Sequence, residues 1–117
     1  SIVRHCLGMG INFIDTATNY TTSEERIGKA INGYRREDII IATKSHSRDP
    51  EGLKKDLEQS LRRLDIDYID LYQMHCWDAS TPLEETLRAL DDLVRSGKVL
   101  YAGISDAPAW IIARASL

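Results

Sequence analysis

Apolar residues along this chain gather in short, bounded runs, and between those runs they recur at helical spacing. "INFID" (11–15) is a brief apolar run closed by a turn, which predicts a buried strand. "DIIIATK" (38–44) is rich in β-branched residues without polar alternation, the pattern of a strand covered on both faces. "YIDLYQMH" (68–75) and "VLYAGIS" (99–105) read as the third and fourth strands.

Helix signals fill the intervals. Residues 2–9 form a short helix ended by Gly10. Thr22 with Glu25 three residues later predicts a capping box, and Gly33 supplies a left-handed stop after "SEERIGKAIN". Asp49 before Pro50 predicts an N-cap followed by a first-turn proline, and Leu53, Leu57, Leu61 and Leu64 then repeat along one face. Thr81, Pro82 and Glu84 open a helix with Leu83, Leu87, Leu90 and Val94 on one stripe, closed by Gly97. Pro108 begins a last helical pattern. Strands separated by helices, without hairpin signals, imply right-handed βαβ crossovers and a parallel sheet. The class is α/β, a single domain over residues 1–117 whose only repeat is the βα unit.

Composition narrows the partners. With 117 residues and 43% hydrophobic content the chain can bury a sizeable core. A formal charge of -3 argues against binding phosphate backbones. No apolar run approaches the roughly 20 residues of a membrane-spanning helix, and no signal peptide is visible. Two cysteines without metal-ligand or framework spacing fit a reducing compartment, so a cytoplasmic location is expected. The chain starts inside one helical pattern and stops in another, as a piece of something longer would.

Chemistry in parallel α/β folds gathers where strands end, because loops converge there on a rigid frame. The first strand ends in Asp15 with Tyr20 on the next loop, the second in Lys44, the third in His75 and the fourth in Ser105 and Asp106. Each has an ordinary reading. Asp15 can cap a turn, Tyr20 can be a packed aromatic, Lys44 a solvated strand end and His75 a satisfied core histidine. Together, acid, phenol, ammonium and imidazole would converge on one rim. A free phenol titrates near about 10, and a neighbouring ammonium would lower that. The division of labour that follows has Asp15 holding Lys44, Lys44 tuning Tyr20, and His75 bonding the substrate oxygen that receives the proton from Tyr20. Trp77, just beyond His75, is a candidate substrate wall; Trp110 reads as a core or oligomer contact.

"NFIDTATNY", "IATK", "RRLDIDYIDLYQMH" and "PLEETLRALDDLVRSGKVLYAGIS" in this order resemble the aldo-keto reductases across essentially the whole chain. The resemblance implies a partial, four-stranded (β/α)8 TIM barrel and reduction of aldehydes or ketones to alcohols with NADPH. It makes Asp15, Tyr20, Lys44 and His75 the catalytic tetrad. It also places Ser105 at the nicotinamide amide, with Asp106 where the family usually has asparagine, and Thr21 where it often has glycine. A full barrel needs about 250 residues, so the first strand and the last three are expected to be missing, and with them most of the cofactor grip. A half barrel would bare two sheet edges and an apolar inner face, which predicts a homo-oligomer. The alternative to an enzyme is a non-catalytic half-barrel that self-associates as a scaffold.

Overall fold

The structure is a computed structural model that describes residues 2–18, 22–47, 49–74 and 83–104, with the backbone alone at 83 and 104. The elements follow in the order α1 (Ile2–Gly8), β1 (Phe13–Asp15), α2 (Ser23–Ile31), a 3-10 turn (Arg36–Asp38), β2 (Ile40–Ser45), α3 (Pro50–Leu64), β3 (Ile69–Met74), α4 (Leu83–Arg95) and β4 (Val99–Ile104). The strands form one parallel sheet in chain order, β1-β2-β3-β4. The expected α/β class and half-barrel topology are therefore what the chain adopts. Of the expected elements, the helix begun by Pro108 lies outside the described residues, as do Thr81, Pro82 and Trp110.

The core lies between the sheet and its helices. Leu53, Leu57, Leu61 and Leu64 of α3 are all buried, and they meet Ile41, Ile69 and Tyr72 from the two central strands. Each such leucine contributes about 1.5–3 kcal/mol by leaving water. Asp49 caps α3 as its sequence predicts, its carboxylate accepting the Gly52 N–H at 3.0 Å. The helix then ends on Asp65 in the left-handed conformation, φ 56°, a stop that the sequence pattern did not single out. Gly33, at φ 94°, follows α2 as expected.

Three expectations need correction. β1 begins at Phe13, not Ile11, because the Ile11 N–H is turned back to the end of α1, donating to Cys6 O at 3.1 Å; Ile11 itself is half-exposed. The capping box at Thr22 does not form. Thr22 sits at φ -104°, ψ 15°, outside the extended region a capping hydroxyl needs, and it makes no side-chain cap bond. Glu25 turns instead towards Arg63, 3.9 Å away. Finally, α4 presents Thr86, Ala89, Leu90 and Leu93 as its buried face, while Leu87 and Val94 are half-buried.

Register sets the opposite face of the sheet. Phe13 pairs with Ile40, and Asp15 aligns with Ala42, Leu71 and Tyr101 across all four strands. Lys44, Gln73 and Gly103 form the next row towards the strand ends. On this face Phe13 is 50% exposed and Tyr101 71% exposed. No helix among the described residues is long and apolar enough to cross a membrane.

Candidate active site

Asp15 is the last residue of β1 and Lys44 lies next to the end of β2, one row further along the same face. Parallel pairing with a period of two brings their side chains together. The Lys44 ammonium donates to both Asp15 oxygens, at 3.0 and 3.1 Å, and to the Thr16 carbonyl at 3.3 Å. Lys44 is 9% exposed, whereas the Asp15 side chain is 53% exposed. The carboxylate thus reaches the rim while the ammonium sits beneath it. A lysine this buried needs a charged partner, and Asp15 is that partner. The structure therefore brings together two of the four residues expected to act as a unit. Tyr20, His75, Trp77, Ser105 and Asp106 lie outside the described residues.

The frame around this pair does not show in the strand-end pattern. Beyond β1 the chain stays hydrogen-bonded to β2: Thr16 N–H donates to Ala42 O at 2.8 Å and Thr18 N–H to Lys44 O at 2.9 Å. The Thr18 hydroxyl donates to the same Lys44 carbonyl at 2.6 Å. Thr16 and Ser23 share a hydroxyl–hydroxyl bond of 2.7 Å, which ties the first residue of α2 to the end of β1. Behind the loop, Glu24 is 2% exposed and accepts from Thr43 Oγ1 at 2.8 Å and from Arg63 at 3.3 Å. The signal in the sequence was Thr-x-Thr directly after a strand, polar where a loop would need no such side chains.

On the other side of Lys44, Ser45 and Ser47 both donate to Asp56 Oδ2, and Ser47 N–H donates to Ser45 Oγ at 3.0 Å. These bonds fasten the β2–α3 loop to α3. Tyr72 is a second phenol nearby, but it is fully buried and donates to Leu53 O at 3.1 Å. Burial pushes its pKa above the usual tyrosine range, a hydrogen bond with Ser45 opposes the shift, and the Asp56 and Glu24 carboxylates add to it. That phenol serves the core. A hollow of about 580 Å³ lined by Leu7, Ile11, Tyr34 and Ile39 sits at the opposite end of the strands and contains neither Asp15 nor Lys44.

With this geometry in place, kinship gives the class. The model of the Aldo/keto reductase family matches residues 1–117, and the chain belongs to that family. Norsolorinic acid reductase B of Dothistroma septosporum is 36% identical over 99% of this chain, which spans 34% of that relative's length. Among solved structures, a thermostable aldo-keto reductase in complex with the inhibitor epalrestat superposes with a TM-score of 0.93 at 40% identity, covering 97% of this chain and 43% of that one. The holo form of an aldo-keto reductase from Bacillus halodurans gives 0.89 at 38% identity, covering 97% and 42%. The chain thus spans about a third of the curated relative and under half of the structural neighbours. The family and these relatives are oxidoreductases.

Proposed function

We propose that this chain carries the acid–base half of a carbonyl-reducing site that uses NADPH to convert small aldehydes or ketones to alcohols. The observation that carries the reading is the Asp15–Lys44 pair, a lysine buried beneath a strand-end carboxylate on the rim where parallel α/β enzymes work. In this reading Tyr20 gives its proton to the carbonyl oxygen. Lys44 provides a fixed positive charge that stabilises the phenolate left behind, Asp15 orients Lys44, and His75 hydrogen-bonds the same substrate oxygen. Trp77 would wall the substrate, and Ser105 with Asp106 would meet the nicotinamide. Reduced nicotinamide, when bound, supplies the hydride. The described residues fit the proton side of this chemistry: a fixed ammonium at the rim is what a phenol needs beside it in order to ionise. The scarcity of cysteine supports a cytoplasmic setting.

The test is NADPH binding followed by fluorescence, then reduction of nitrobenzaldehyde by wild type and Tyr20→Phe. Saturable binding and a rate that falls about 10²- to 10⁴-fold in the variant are expected for loss of a general acid. Reduction by Tyr20→Phe at the wild-type rate would reject the assignment.

We further propose that the 117-residue chain alone associates through its uncovered sheet face. Support comes from the exposure of Phe13, Ile40 and Tyr101 and from the outer edges of β1 and β4. Light scattering at micromolar concentration should give a mass above that of one chain; a sharp monomer would end the proposal.

A further inference from the structure

Lys44 is held from more directions than its salt bridge requires. Its backbone carbonyl accepts twice from Thr18, through N–H at 2.9 Å and hydroxyl at 2.6 Å. Thr18 is itself held, because its carbonyl accepts from Arg63 at 3.0 Å. The same Arg63 nitrogen donates to Glu24 at 3.3 Å, and the other Glu24 oxygen accepts from Thr43, the residue before Lys44. These contacts close a ring through Lys44, Thr18, Arg63, Glu24 and Thr43, built from β2, the β1–α2 loop, α3 and α2. The Glu24 carboxylate is almost fully buried and the Arg63 side chain is 25% exposed, so neither behaves as a solvated surface charge. Burying a carboxylate is costly, and a hydrophobic pair in its place would stabilise the core as well or better. A role in geometry accounts for keeping it.

We propose that Glu24, Arg63 and Thr18 are positioning residues that fix the β2 terminus so that the Lys44 ammonium stays against Asp15. The inference rests on the functional reading of the Asp15–Lys44 pair. Arg63 acts at a distance: it touches neither partner of the pair, and its effect passes through the Thr18 carbonyl and the Glu24 carboxylate. Thr18 is the direct clamp. Without its hydroxyl the Lys44 carbonyl keeps one bond, the strand end is freer to turn, and the ammonium leaves the carboxylate more often.

Competitive acylation of the 117-residue chain with trace acetic anhydride, read by peptide mass spectrometry, reports how often the Lys44 amine is free, and Lys54 and Lys55 on α3 serve as internal references. One lost hydrogen bond of about 1 kcal/mol corresponds to about a fivefold rise in Lys44 labelling relative to the references. Thr18→Val should give that rise, and Thr18→Ser, which keeps the hydroxyl, should restore the wild-type ratio. The double variant Glu24→Gln/Arg63→Met, which leaves no buried charge unpaired because Glu25, the other partner of Arg63, is more than half exposed, should rise as Thr18→Val does. Asp15→Asn sets the upper reference. Unchanged ratios in Thr18→Val and the double variant, with a rise in Asp15→Asn, would overturn the positioning role and leave the functional reading standing. An unchanged ratio in Asp15→Asn would remove the pair itself, and both readings with it. Equal rises at all lysines, or no rescue by serine, would show general loosening and also overturn the inference.

Discussion

At Gly28 the backbones of α2 and α3 approach closely, and replacing it with alanine tests the packing beneath the site. A Cβ there would lie 2.6 Å from the Arg63 carbonyl oxygen and 2.9 Å from both Cα and O of Leu64. All three are main-chain atoms in the last turn of α3, so no side chain can swing aside. Such contacts relax at about 3.5 Å, and α2 must therefore withdraw by roughly 0.9 Å. Overpacking of this kind costs about 1–3 kcal/mol, and the rigidity of the obstacle puts Gly28→Ala at the upper end. Alanine's better helix propensity returns about 1 kcal/mol. The net loss is about 2 kcal/mol, which lowers the melting temperature by about 8 °C in a chain of this size. Glu24 lies one turn earlier on α2 and moves with it, stretching its bonds to Thr43 and Arg63. Thermal unfolding followed by far-ultraviolet circular dichroism gives the shift. Gly8→Ala is the control, because a Cβ at Gly8 meets nothing within 4 Å, and it should be neutral or stabilising by about 0.5 kcal/mol. If Gly28→Ala melts at or above wild type, or falls no further than the control, the close approach is wrong.

Substitutions at two further positions probe the sheet. Tyr72→Phe removes the buried hydroxyl bonded to Leu53 O and should cost about 1 kcal/mol in urea unfolding at neutral pH. Because the folded phenol titrates above its unfolded value of about 10, its contribution is intact below that pH and is lost as pH rises towards the folded pKa. Wild type should therefore weaken above about pH 10 more steeply than the variant, and parallel curves would contradict the burial. Asp70→Ala strips a carboxylate that accepts both from Ile41 N–H at 2.8 Å and from Arg36 at 2.7 Å, and should cost about 3 kcal/mol in the same assay. Asp70→Asn keeps an acceptor for Ile41 and should lose about half as much. Equal losses would assign the role to charge alone.

Strands, helices and their order were legible because each answers to a local rule. The Leu53–Leu64 stripe, the Asp49 cap and the Gly33 stop act over a few residues, and each stands where its pattern put it. Thr22 and Glu25 obeyed the same kind of pattern and failed, because Ser23, Glu24 and Glu25 at that helix start are turned to tertiary partners, namely Thr16, Thr43 and Arg63. The buried stripe of α4 was misplaced for a related reason. Leucine and valine mark an apolar face, but small Thr86 and Ala89 are buried beside Leu90 and Leu93, while Leu87 and Val94 are only half-buried. At the site, Asp15 and Lys44 were readable from strand ends alone. Glu24, Arg63 and Thr18 were not, since their roles exist only once α2, α3 and the β1–α2 loop have met.

Spatial order equals chain order in this sheet, and the helices pack in the same succession. Among the described residues each strand pairs with its neighbours in the chain. The Asp15–Lys44 contact spans 29 positions and the Arg63–Thr18 contact 45, so both are within reach once α3 has left the ribosome. Synthesis can then lay down one βα unit upon the last, as in repeat proteins that grow by nearest-neighbour contacts.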